Sequence, residues 1–535
     1  MKLQTLSRWL SLLALVGGAL RFSARSYGDD TSQTLDVLER AGIITHEQAE
    51  KARQLIPTPT TPAVPPRGAS EQDVEELKQK VRILERQREV DEEVKANAPV
   101  LPSLKTTSSS WINEMMWYGD LRLRVEDFEN PQDWKKSPDA PIQADQPDRL
   151  RYRVRLRLGV DLKVQDWANI DARFATGDSV SGSTYSGQSE NATFGSSFRK
   201  KAAVVDLAYV AIHPPFWDWL TVEGGIIPLS TWHPVTLSPT VYKSEITPQG
   251  AAEMVSYKFG DFQQYRFFGN FGQYVIAEQG GSFTPQAGPN GPIPEGENAD
   301  AYLFDSEVGI EAQLNPAPLK VTAAFDYFAT KNLNHVVPGD STTSQGNSIN
   351  LNPFSPYEGD YLADFRTIQG LGEVAWTISP ERFLGTPSVL TLGGEYLKNL
   401  TDLAQLQLTP AGGYYQSAWA LQAVFGQAKS KGQWSLGYEY KYLGANSTWD
   451  AVVDDNFSVG YGSRNGVPGA GTDIKGHVVN LTYNVFDWWQ IAFNGFICER
   501  ISPFNAVARP PLQSHPISPS GDYAVRLQLD NTFKF

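Results

Sequence analysis

The sequence predicts an all-β chain: a transmembrane antiparallel β-barrel of about 16 strands, preceded by a short α-helical segment. Three observations carry that expectation. The chain ends in DYAVRLQLDNTFKF, where Tyr523, Val525, Leu527, Leu529, Asn531, Phe533 and Phe535 share one face and Ala524, Arg526, Gln528, Asp530, Thr532 and Lys534 the other. Two-faced segments of this kind recur through the chain, many of them near the roughly 9–11 residues that a tilted strand needs to cross a bilayer. Their connections alternate between short turns and long Gly-, Pro-, Asn- and Ser-rich loops, as in outer-membrane barrels.

Composition agrees. The 535 residues are 41% hydrophobic and 12% aromatic, with 14 Trp, 22 Tyr, 26 Phe and 45 Gly. Mean hydropathy is only −0.34, because alternation hides apolar surface from any averaging window. One cysteine, Cys498, excludes an intramolecular disulfide, and four Met and six His leave little material for a metal or redox centre. No cofactor is expected. The formal charge of −14 and the lack of a basic run argue against a nucleic-acid partner.

The N-terminal elements come first. Residues 1–28 read as a signal peptide: Lys2 and Arg8, an apolar stretch from Trp9 to Leu20, then Ser26 and Gly28 before the cut, with Ala24 as an alternative site. Cleavage removes four basic residues and no acidic ones, so the mature charge is −14 − 4 = −18. Residues 29–56 form a helical hairpin, with Leu35, Leu38 and Ala41 on one face, Gly42 as a stop, and Thr45 with Gln48 as a capping box. Residues 57–70 are a Pro-rich spacer. Residues 71–98 form a charged helix whose Val74, Leu77, Val81 and Leu84 hold heptad positions until Arg88 and Asp91 interrupt the seam. It is either a coiled coil that assists a homotrimer or a solvated single helix.

The barrel occupies residues 111–535. Candidate strands fall near 115–127, 148–164, 167–176, 203–213, 219–226, 251–258, 263–270, 303–314, 318–328, 366–376, 387–398, 415–425, 432–443, 474–485, 488–500 and 522–535. The last strand is expected to close against the first, leaving no edge unpaired in lipid. In the second strand Arg149, Arg151, Arg153, Arg155 and Arg157 alternate with Leu150, Tyr152, Val154, Leu156 and Leu158. An outward arginine costs about 2–4 kcal/mol at the bilayer midplane, so the ladder must line the channel, joined by Arg122 and Arg124 from the first strand. Two electrostatic readings stay open: a net basic constriction that favours anions, or local pairing with acids such as Asp120, Glu126, Asp161, Asp171 and Asp206. A 16-stranded barrel leaves an aqueous channel, so a loop must narrow it. The loop Ile227 to Gly250, with Trp232, His233 and Lys243, is one candidate; Phe271 to Ala301 is another. The stretch Gly444 to Gly471 reads as an external loop. Cys498 alternates inward as a small wall residue.

Several stretches resemble the putative-porin family of Gram-negative outer membranes. They are YGDLRLRVE (Tyr118 to Glu126), the arginine ladder, ARFATGD (Ala172 to Asp178), VDLAYVAI (Val205 to Ile212), the run Trp434 to Gly460, GTDIKGHVVNLTYNV (Gly471 to Val485) and the helical stretch Leu38 to Leu55. The resemblance implies a water-filled channel for passive diffusion of small hydrophilic solutes or ions in the bacterial outer membrane. A C-terminal Phe on an alternating strand, here Phe535 with Phe533, resembles the signal read by the barrel-assembly machinery. No GxSxG, phosphate loop, HExxH or paired CxxC motif is present, and the histidines form no recognisable triad, so no enzyme and no catalytic residue is expected. The competing reading is a structural anchor whose N-terminal helices bind peptidoglycan.

Overall fold

The computed structural model describes residues 112–129, 148–177, 190–195, 197–198, 200–234, 237–278, 300–314, 318–333, 363–403, 415–458, 471–501 and 523–535. The signal peptide, helical hairpin, Pro-rich spacer and charged helix expected between residues 1 and 98 lie outside the described residues.

Sixteen strands make the wall. They are β1 (Ile112–Glu129), β2 (Arg149–Val164), β3 (Ala168–Gly177), β5 (Ala202–Ile212), β6 (Leu220–Ile226), β7 (Gln249–Phe259), β8 (Tyr265–Ala277), β9 (Ala301–Leu314), β10 (Leu319–Lys331), β11 (Arg366–Phe383), β12 (Thr386–Asn399), β13 (Ser417–Gly426), β14 (Trp434–Leu443), β15 (Ile474–Phe486), β16 (Trp489–Arg500) and β17 (Ala524–Lys534). The two-residue β4 (Ala192–Thr193) pairs with Arg153 and Val154 of β2, beyond the end of β3. Each wall strand pairs antiparallel with the next, and β17 pairs with β1 from Asp120↔Lys534 to Glu129↔Val525. The ring is therefore closed, and backbone groups that lipid could not satisfy are bonded around it. Phe535 completes the seam: Gly119 donates its amide to the Phe535 carbonyl at 2.9 Å and accepts the Phe535 amide at 3.1 Å.

Every expected strand falls on a wall strand. Two exceed their expected ends the most. β8 continues through Phe271 to Ala277, taking the first residues of an expected loop, and β11 reaches Phe383 across register shifts after Thr377 that break its two-residue period.

Alternation sets the two faces. Leu150, Tyr152, Leu156 and Leu158 of β2 are exposed outward, while Arg153 and Arg155 between them are buried inside. On β14 the outward Leu436 and Tyr438 contrast with the fully buried Glu439 and Lys441. At the short-turn end the outer surface carries Trp117, Trp167, Trp217, Trp219, Trp376 and Trp488, all exposed. Trp488 and Trp489 stack with Phe533 at centroid distances of 6.3 and 5.8 Å. This is the aromatic girdle of a membrane–water interface, where rings with one apolar body and one polar edge are most stable. Hydrophobic surface thus goes out and charge goes in, the reverse of a water-soluble fold.

Candidate pore constriction

The arginine ladder meets acids from neighbouring strands and from inward-folded loops. Arg124 binds Asp530 of β17 through two parallel bonds, Nε to Oδ1 at 2.6 Å and Nη2 to Oδ2 at 2.8 Å, the geometry in which guanidinium and carboxylate match best. Asp120 of β1 accepts from Arg155 and from Arg157, the latter at 2.8 Å from Nε. Glu126 accepts from Arg151 and, at 3.0 Å, from Arg526. Arg173 of β3 binds Asp206 of β5 at 2.5 Å. Such pairs form because antiparallel register sets inward residues of adjacent strands opposite one another, as Asp120 stands opposite both Arg157 and Lys534.

Three partners come from outside the wall. Glu190, just before β4, binds Arg155 at 3.0 Å. The next residue, Asn191, accepts from Arg122 through Oδ1 at 2.6 Å and from Arg153 through its carbonyl at 2.9 Å. Glu245, from the loop after β6, binds Arg122 at 3.1 Å. Arg149 is half-buried at the first position of β2.

The loop from Ile227 to Pro248 folds into the barrel as a strap. Its base is closed by the Ile227 amide donating to the Pro248 carbonyl at 2.9 Å. Between these ends lie Pro228, Pro234 and Pro239, which block regular structure and keep the chain extended. An extended strap inside a barrel leaves amide hydrogens without ladder partners, and buried ones need acceptors. Three wall carboxylates provide them. Glu307 of β9 accepts from the Trp232 amide at 2.8 Å. Glu439 of β14 accepts from Leu237 at 3.0 Å and Ser238 at 3.1 Å. Glu395 of β12 accepts from Thr240 at 3.0 Å, its second oxygen held by Gln369 at 2.8 Å. Lys441 of β14 donates to the Ser238 hydroxyl at 2.5 Å and to its carbonyl at 3.1 Å. Counting pairings around the ring, β14 lies eight strands from β6 in either direction, so the strap crosses the whole lumen.

Close approach at the far wall requires glycine. A Cβ added at Gly437 would stand 2.9 Å from the Leu237 side chain, and one at Gly393 would stand 3.0 Å from Pro234. On the return limb Tyr242 packs on Phe328 of β10 at a centroid distance of 5.9 Å and holds a left-handed backbone, φ 61°. A non-glycine residue keeps that conformation only where its surroundings fix it.

A second segment, between β14 and β15, also lies inside. This corrects its sequence-based assignment as an external loop, as far as residues 444–458 are concerned. The Val452 carbonyl accepts from the Lys243 amide of the strap at 3.0 Å, and Asp454 accepts from the Ser238 hydroxyl at 2.7 Å. Asn456 accepts from Gln528 at 2.9 Å, the Asp455 carbonyl accepts from Arg526 at 2.8 Å, and Phe457 lies 4.3 Å from Lys441 Nζ. Polar composition gave no sign of this direction, since a water-filled lumen and the external medium suit the same side chains. Of the two loops expected to narrow the channel, Ile227 to Gly250 reaches across the lumen to β14; residues 279–299 of the other lie outside the described residues.

Of the acids proposed to partner the ladder, Asp120 and Glu126 do so, whereas Asp206 binds Arg173 of β3, outside the ladder. Asp171 instead accepts from the Tyr118 hydroxyl, at 2.8 and 2.9 Å to its two oxygens, and among the described residues no arginine bonds Asp161. Glu190, Asn191, Glu245, Asp530, Arg173 and Arg526 were missed. Asp530 and Arg526 were visible on the inward face of the last strand and could have been matched to β1 through the expected closure. Cys498 is buried on the inner face, as alternation implies.

Residues 30–351 match the sequence model of a family described as "Putative porin". No curated protein matches the chain. Among solved structures, the high-pH form of Pseudomonas putida OprB aligns with 79% of this chain and 94% of its own at 9% identity, with a TM-score of 0.42. The outer membrane channel DcaP of Acinetobacter baumannii aligns with 80% of this chain and 99% of its own at 12% identity and 0.38. Salmonella typhi OmpF, in complex with daunomycin, aligns over 80% and 99% at 10% identity and 0.37.

Proposed function

This chain belongs to the putative porin family, and on that premise we propose that its lumen is a narrowed, charge-compensated channel, with no catalytic role. It is an outer-membrane porin that admits small hydrophilic solutes or ions by passive diffusion. The observation that carries the narrowing is the strap, rooted at β6 and bonded to β14 on the opposite wall. What passes must pass beside it.

The ladder residues Arg122, Arg124, Arg149, Arg151, Arg153, Arg155 and Arg157 act first as wall ties and second as a source of field. Pairing with Asp530, Glu126, Asp120, Glu190 and Glu245 supports this order. Arg157 of the ladder and the neighbouring Arg173 of β3, with side chains 25% and 17% exposed, are more solvated than Arg122, Arg124, Arg151 and Arg155, and they are the ones that face passing ions. A compensated lumen orients dipolar solutes between its charged walls and selects weakly between anions and cations. Phe533 and Phe535 act as the assembly signal at the closing seam.

Planar-bilayer recording with the purified mature protein tests the reading. Discrete current steps with a reversal potential close to zero in asymmetric KCl are expected. A barrel that is folded yet electrically silent refutes the channel, and a steep reversal potential refutes the compensation.

A further inference from the structure

We propose that Asp305 of β9 and Asp326 of β10, with the Tyr242 hydroxyl of the strap, bind a calcium ion that ties the strap to the wall. The proposal rests on the strap's place in the lumen and not on what the channel carries.

The starting point is register. Asp326 stands opposite Glu307, and Asp305 is the next inward residue on β9. Three carboxylates thus share the inner face of two adjacent strands, although like charges set opposite one another in a sheet repel. Glu307, Asp305 and Asp326 are only 0%, 2% and 3% exposed. Glu307 is answered, because one of its oxygens accepts from the Trp232 amide and from Asn270. The two aspartates are not. Both oxygens of Asp305 and Oδ1 of Asp326 lack a hydrogen-bond donor, and among the described residues neither side chain pairs with a lysine or arginine. Their inward neighbours are apolar: Leu303 precedes Asp305 on the same face, and Phe328 follows Asp326. Buried charges in folded proteins are paired or coordinate metals.

A second observation points to which of these applies. The Tyr242 ring packs on Phe328 at a centroid distance of 5.9 Å, and Phe328 stands opposite Asp305, so the strap brings its phenol to the carboxylate pair. The hydroxyl belongs to a residue 3% exposed and is turned to Asp305 and Asp326, yet it forms no hydrogen bond with either. A second phenol arrives from β8, where Tyr274 lays its hydroxyl over Gly272, the residue opposite Asp305. Carboxylate and phenol oxygens gathered in this way are the donor set of a hard cation. They are also not the His or Cys ligands that the composition lacks.

The charge and the number of ligands select the ion. Two aspartates match a divalent cation, and calcium takes carboxylate oxygens one or two at a time, in flexible geometry, with water filling its shell. Among the described residues no three His, Cys, Asp or Glu side chains are grouped as a metal cage, so this is a two-carboxylate site that water completes. Its place gives it a role. Glu307, Glu439 and Glu395 fix the strap at Trp232, Leu237, Ser238 and Thr240. Calcium fixes the return limb at Tyr242, whose left-handed backbone needs such support.

Calorimetric titration with calcium chloride at neutral pH tests the proposal on the full mature chain, refolded in detergent without native lipid. One calcium ion per chain is expected, with a rise in the urea midpoint of the folded band on gels. Asp305→Asn and Asp326→Asn should each weaken binding by about tenfold or more, as loss of a ligand charge does, and abolish that rise. Tyr242→Phe should weaken binding several-fold, whereas Asp161→Asn, elsewhere on the wall, should leave it intact. A folded chain that takes up no calcium overturns the proposal. So does uptake that neither aspartate variant weakens, because the ion is then an adventitious surface one. A protonated-carboxyl infrared band that persists in calcium and is lost in Asp326→Asn also overturns it, since a shared proton then answers the pair. None of these readouts needs current: a silent barrel that binds calcium refutes only the channel, and a conducting one that binds none refutes only this site.

Discussion

The two sides of the lumen use charge differently. From β17 through β1 and β2 to β3, arginine meets carboxylate, mostly between adjacent strands, as in Arg124–Asp530 and Arg173–Asp206. On β9, β12 and β14, carboxylates meet backbone instead: Glu307, Glu395 and Glu439 accept amide hydrogens of the strap. The first arrangement stiffens the cylinder, because each pair ties neighbouring staves. The second positions an insert, because each acceptor fixes one point of a chain that has no sheet partner. One wall is therefore a brace and the other a cradle.

Removing the insert should have the largest effect. Replacing residues 231–245 by a short Gly-Ser linker frees the lumen, and single-channel conductance is expected to rise several-fold while the folded-barrel gel mobility persists. An unchanged conductance would mean that the strap does not narrow the path.

The brace predicts an asymmetry between single and double substitutions. Arg124→Met alone leaves Asp530 buried and uncompensated, a loss of about 3–5 kcal/mol for a broken buried pair. Adding Asp530→Leu should recover much of that loss, because replacing both partners is often nearly neutral. Urea midpoints of the folded band on gels give the comparison; equal losses in the single and double variants would show that the pair is not the unit of stability.

The cradle predicts a smaller cost of a different kind. Glu439→Leu removes the acceptor of the Leu237 and Ser238 amides; a released strap can turn both amides to lumen water, which avoids most of the penalty of leaving buried groups unanswered, so the change should loosen the strap more than the wall. Its signature is noisier open-channel current at an almost unchanged unfolding midpoint. A midpoint shift as large as that of Arg124→Met would erase the distinction between the walls.

The smallest effect concerns selectivity. Neutralising Arg151, Arg153 and Arg155 together is expected to move the reversal potential by only a few millivolts, whereas Arg157→Gln, at a more solvated position, moves it comparably by itself. A large shift from the triple variant would restore a basic filter in place of wall ties.

The brace was largely legible in the sequence and the cradle was not. Five arginines at every second position, from Arg149 to Arg157, can face only a lumen, and the closing strand announced itself through alternation ending in Phe535. Which acids would pair with these arginines stayed open in the sequence, because it is the register of neighbouring strands that sets opposite inward residues in contact. The cradle gives no such pattern. Glu439 and the amides it holds are more than 200 residues apart, at |i−j| of 202 and 201, and an amide carries no signature in sequence. The same physics hid the inward course of residues 444–458 and the contribution of Glu190 and Asn191. Alternation encodes which way a strand faces, whereas a loop's direction depends on acceptors that are assembled only when the ring closes.

The most direct measurement is a cross-link between the strap and the wall opposite its root. With Cys498→Ser as background, Leu237→Cys and Gly437→Cys place one thiol on the strap and one on β14, where the present side chain of Leu237 comes within 2.9 Å of a Cβ built at Gly437. Mild oxidation of the folded protein in membranes should join them in nearly every molecule and leave the current steps at their unmodified size. If the two thiols remain free under conditions that oxidise a surface pair, the strap does not span the lumen.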